Sequence, residues 1–111
     1  METKSHNLLL ANELTATDIQ LLIKRSGVFV DKGMNKCEFT GEETRVFGFS
    51  FKRGRGIVWH WYQESEFASK RCGVTVFEYI ESYNCNTGKS RGGVLNQIRI
   101  TERLRQIAHN Q

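Results

Sequence analysis

Between Arg45 and Tyr62 the chain reads Arg-Val-Phe-Gly-Phe-Ser-Phe-Lys, then Arg53-Gly-Arg-Gly56, then Ile-Val-Trp-His-Trp-Tyr. This stretch constrains the fold more than any other. Phe47, Phe49 and Phe51 alternate with Val46, Gly48, Ser50 and Lys52. A period of two is the signature of a strand with unlike faces, because successive side chains on a strand point to opposite sides. The glycine-rich interval that follows predicts a β-hairpin. A turn at Gly54-Arg55, or a loop from Arg53 to Gly56, sets Lys52 opposite Ile57. In that register Phe51 faces Val58, Phe49 faces His60 and Phe47 faces Tyr62, while Ser50 faces Trp59 and Gly48 faces Trp61. Arg45 would then meet Glu64 as a cross-strand ion pair.

The flanking segments predict the rest of an α+β domain. Thr15 to Asp18 ahead of Ile19, Leu21, Leu22 and Ile23 reads as a threonine cap with an acid in the first turn, and predicts a helix over 16–25 that Gly27 ends. Val28 to Val30 and Cys37 to Phe39 read as a short hairpin across the glycine-bearing interval 31–36. A polar interval follows Tyr62, then Val74 to Tyr83 is rich in Val, Phe, Tyr and Ile and predicts another strand. Asn84 to Gly93 reads as a loop. From Val94, Val94, Ile98 and Ile100 fit alternation, whereas Ile100, Leu104, Ile107 and Ala108 fit helical spacing. The helical reading over 94–108 is preferred, with Thr101 as an alternative cap if the first part is strand. The expected architecture is an antiparallel sheet of four or five strands with a short N-terminal helix and a C-terminal helix.

At 111 residues, with no prolines, repeats or low-complexity linkers, the chain is expected to form a single domain over 1–111, with 1–7 flexible. Apolar runs stop at a few residues, as in Leu8 to Ala11, so neither a membrane span nor a signal peptide is expected. Three scattered cysteines, Cys37, Cys72 and Cys85, make no disulfide framework and no metal-ligand pair with His6, His60 or His109; a reducing cytoplasm is the expected setting and no metal or other cofactor is anticipated.

The formal net charge of +4 is unevenly distributed. Residues 44–63 hold Arg45, Lys52, Arg53 and Arg55 and no acid, and the tail from Asn86 holds Lys89, Arg91, Arg99, Arg103 and Arg105 against Glu102. Two basic blocks on a mildly acidic body suit a polyanion. Trp59 and Trp61 sharpen this reading, because two indoles at i and i+2 project from one side of a strand ~7 Å apart. Opposite them stand Gly48 and Ser50, too small to cover the rings. An aromatic platform rimmed by cations is how sheet-type proteins hold unpaired bases. The alternative is that the small partners make room for a helix and the tryptophans are core.

The expected function is therefore a small non-enzymatic accessory protein binding single-stranded nucleic acid or RNA. Trp59 and Trp61 would stack on bases and Lys52, Arg53 and Arg55 would hold phosphates. Lys89, Arg91, Arg99 and Arg103 would form a second contact region. A protein-interaction module for an acidic partner, or a homodimer seam at the tryptophans, is the competing reading. Gly88-Lys89-Ser90 lacks the earlier glycine of a phosphate-binding loop, since position 83 is tyrosine. A ribonuclease reading would need His60 with a carboxylate such as Glu64 or Glu66 and an arginine at one phosphate, and the hairpin register instead turns His60 toward the phenylalanine face.

Overall fold

The computed structural model describes residues 8–25, 29–36, 41–53, 56–80 and 93–110; of Val30, Phe51, Lys52, Arg53 and Ile57 the backbone alone is described. The elements are β1 (Glu13–Thr15), α1 (Ala16–Arg25), β2 (Phe29–Lys36), β3 (Glu43–Arg53), β4 (Gly56–Glu64), α2 (Glu66–Cys72), β5 (Val76–Ile80) and α3 (Gly93–His109). The five strands form one antiparallel sheet in the order β1-β5-β4-β3-β2. The α+β architecture is the one the sequence predicts. Among the described residues no helix is long and apolar enough to cross a membrane.

The central hairpin has the predicted register. Phe47 pairs with Tyr62, Gly48 with Trp61, Phe49 with His60, Ser50 with Trp59, Phe51 with Val58 and Lys52 with Ile57. Helix α1 begins on a reciprocal cap: the Thr15 hydroxyl accepts from the Asp18 amide at 3.1 Å, and the Asp18 carboxylate accepts from the Thr15 amide at 2.9 Å. Two otherwise orphaned amides are satisfied at once.

The Phe47/Phe49/Tyr62 face carries the main core. Leu14, Phe47, Phe49, Tyr62 and Phe77 from the sheet meet Ile19 and Leu22 of α1 and Ile100, Leu104 and Ala108 of α3. Burying each such side chain contributes roughly 1.5–3 kcal/mol. Tyr62 keeps its one polar atom satisfied inside this core through a 2.6 Å hydrogen bond with the Thr101 hydroxyl. Burial pushes its phenol well above the ordinary tyrosine value. Polar contacts also tie the two helices together, His109 Nε2 near the end of α3 lying 2.5 Å from the Asp18 carboxylate in the first turn of α1 and Arg25 at the end of α1 donating to the Asn110 carbonyl. Both helices therefore lie on one side of the sheet.

Three expectations are corrected. The interval 31–36 is not a hairpin turn: β2 runs through it and pairs with β3, and its glycine sits in a bulge where pairing shifts between Asp31 and Gly33. Gly33 takes a φ of 69°, in the left-handed region glycine enters freely, and its amide donates to the Asp31 carboxylate at 2.8 Å. The predicted partner Cys37–Phe39 lies outside the described residues, as do Gly27, the stretch 81–92 and the N-terminal 1–7. The polar interval after β4 contains a helix, α2, capped by the Ser65 hydroxyl accepting from the Ala68 amide and closed at Gly73 with φ 78°. Finally, Arg45 pairs not with Glu64 but with Asp31, at 2.8 Å, because β3–β4 pairing ends at Val46–Gln63 and β2 supplies the nearer carboxylate. The Arg45 guanidinium holds the Asp31 carboxyl below its ordinary value.

Candidate functional site

Alternation along β4 separates two groups of side chains. Tyr62 and His60 go to the helix side, and Trp59, Trp61 and Gln63 go to the other. His60 is 4% exposed and its Nδ1 lies 3.1 Å from the Tyr79 hydroxyl. The sheet separates it from the tryptophans, so the face that bears the indoles offers no histidine general base from this position.

Among the described residues the tryptophans lie outside the helix-packed core, and no helix is seated on them. Gly48 makes room for Trp61 itself. A β-carbon placed on Gly48 would lie 2.4, 2.6 and 2.9 Å from three atoms of the Trp61 six-membered ring, distances that real β-carbons do not tolerate. The indole occupies the volume that any larger side chain would need. The Trp59 ring lies beside it with centroids 5.8 Å apart and planes inclined by 20°. Trp59 is 37% exposed and Trp61 half-buried. A cation completes the group: the Lys32 ammonium lies 5.6 Å from the Trp61 ring centroid, within cation–π range. The sequence reading missed Lys32 because it placed 31–36 in a turn rather than on an edge strand beside β3.

Of the basic contact residues named from sequence, Arg99 and Arg103 are the two whose side chains the structure describes. Lys52 and Arg53 end β3, paired through the backbone with Ile57 and Gly56 just beyond the Ser50–Trp59 pair. Arg55, Lys89 and Arg91 lie outside the described residues. Arg99 and Arg103 are exposed on α3, whose buried residues Ile100, Thr101 and Leu104 face the opposite side of the sheet. These two arginines are thus across the sheet from the indoles.

At the other end of the indole-bearing face Glu78 and Glu13 stand opposite one another on β5 and β1. Helix α2 packs there through Ala68 and Cys72 on Val76, with Leu9 alongside. A cleft of about 1120 Å³ beside it is lined by Glu42, Glu43, Glu64, Glu66 and Glu78, by Lys70, which pairs with Glu66 at 3.4 Å, and by Phe67, Val74 and Met34. Glu78 pairs in register with Glu13, and burial followed by the Glu13 charge raises its pKa above the ordinary value of 4.5. A raised folded pKa contributes stability at low pH that is lost as pH rises through the carboxylate range. Glu78→Gln, neutral at every pH, is therefore expected to raise the urea midpoint at pH 7, with the gain shrinking toward pH 3; a gain independent of pH would assign it to packing rather than charge. Among the described residues no three His, Cys, Asp or Glu side chains converge as a metal site requires.

Comparison with protein-family models, curated proteins and solved structures finds no match to this chain.

Proposed function

We propose that this chain is a non-enzymatic accessory protein that binds single-stranded nucleic acid through the face bearing Trp59 and Trp61. The observation that carries the reading is the near-parallel indole pair, partly exposed on the side of the sheet away from α1 and α3, with the Lys32 ammonium beside it. Stacked aromatics give sequence-tolerant affinity for unpaired bases, of roughly 1–3 kcal/mol per base, and a neighbouring cation supplies phosphate or base-edge contact. Lys52, Arg53 and Arg55 at the hairpin end extend the cationic rim in this proposal. The proposed setting is a reducing cytoplasm, consistent with the buried free thiol of Cys72. An acidic protein is the competing partner, and the exposed arginines of α3 are what favour it.

The chain's only two tryptophans are the residues in question, so intrinsic fluorescence reads the site directly. Titration with short single strands is expected to quench emission more strongly than titration with duplex. Trp59→Ala combined with Trp61→Ala should weaken binding roughly 5- to 150-fold while circular dichroism stays unchanged. Lys32→Gln should flatten the log–log salt dependence by about 0.7 if it holds one phosphate. Emission indifferent to every oligonucleotide would discard the reading in favour of the protein partner.

A further inference from the structure

We infer that the platform takes one unpaired base at a time, stacked on Trp59, rather than a run of bases; this rests on the nucleic-acid reading above. A base inserted between two rings needs about twice the 3.4 Å stacking repeat, or roughly 6.8 Å. The two indole centroids are 5.8 Å apart with planes 20° from parallel, so the rings do not leave that gap. Trp61 is engaged from several sides. Gly48 lies against its six-membered ring, Trp59 lies beside it and the Lys32 ammonium sits 5.6 Å from its centroid. Trp59 is the more exposed of the two and has the ring surface on which a ligand can stack, with Trp61 holding it in place.

The electrostatics of the face limit the footprint in the same sense. Beyond Trp61 along β4 comes Gln63, whose register partner is Glu78, and then the cleft whose lining includes Glu66 and Glu78 together with Lys70. A phosphate backbone following β4 in that direction would run into like charge, whereas Lys32 lies toward β2. A strand held by its bases along the whole sheet does not fit these charges; one extruded or terminal base does. The ligand class is accordingly a single-stranded end, bulge or loop that presents one splayed base.

The test uses the wild-type protein and an eight-residue abasic backbone carrying no base, one adenine or two adjacent adenines, followed by tryptophan quenching. The first base is expected to raise affinity about tenfold or more, and the second by less than threefold. A second step as large as the first overturns the one-base inference while leaving the nucleic-acid reading intact. If a uniform strand of eight adenines leaves emission unchanged, the nucleic-acid reading fails and the inference with it. Variants give an independent check: Trp59→Ala should erase the one-base step, whereas Trp61→Leu, which leaves Trp59 its ring surface but removes the neighbour that holds it, should weaken the step and leave part of it measurable. Equal losses in the two would also overturn the inference.

Discussion

Replacing Arg71 with methionine is expected to cost the fold about 3 kcal/mol, read as a lowered urea midpoint with an unchanged slope. The cost comes from what the change leaves behind. Glu13 on β1 is 2% exposed, and its Oε1 accepts from the Leu10 amide at 2.9 Å and from Arg71 Nη2 at 2.5 Å. Arg71 also donates to the Leu8 carbonyl at 3.1 Å and lies 5.7 Å from the Phe67 ring. Its side chain is 25% exposed and reaches water, whereas that of Glu13 does not. Removing the cation therefore strands a buried carboxylate beside Glu78, its register partner. Removing the anion with Glu13→Gln leaves a cation that water can solvate. The arginine variant should thus be the more damaging, and Glu13→Gln in the Arg71→Met background should recover part of the loss. Equal costs below about 1 kcal/mol for the two single changes would mean that this pair behaves as an ordinary surface ion pair.

The second large effect is expected at Gly48. Glycine inside a strand ordinarily weakens it, so adding a side chain there should help by roughly 0.5–1 kcal/mol. Here the sign reverses. The added β-carbon would stand 2.4 Å from the Trp61 ring, and the indole can escape only by leaving its seat toward water. Gly48→Val is expected to destabilise the protein by about 1–3 kcal/mol, the usual range for overpacking, and to shift tryptophan emission to the red. A stabilised variant with unchanged emission would show that Trp61 does not lie on Gly48. Because Trp61 supports Trp59, the same substitution should weaken the one-base step.

Much of the central architecture was legible in the residues. The β3–β4 register could be read because Phe47, Phe49 and Phe51 alternate without interruption and a glycine-rich turn anchors the count. Helix α1 was legible from its cap and α3 from the spacing of Ile100, Leu104 and Ala108. The misses share a cause. β1 is three residues long and α2 seven, too short for either periodicity to emerge. Ser65 and Gly73 did carry the start and stop signals of α2, but they lay in a stretch whose composition reads as polar linker. β2 was misread because Gly33 serves equally as a turn residue and as the residue of a bulge, and local sequence does not distinguish the two.

That Trp59 and Trp61 share one face and His60 and Tyr62 the other follows from side-chain alternation, a property of the strand alone. Which of the two faces the helices cover does not follow from the strand. That outcome depends on where α1 and α3, remote along the chain, bury their apolar sides. They pack on Phe47, Phe49 and Tyr62 and carry Arg99 and Arg103 away from the indoles. The same long-range pairing brings Lys32 of the edge strand to Trp61, a neighbour 29 positions away that no local pattern specifies.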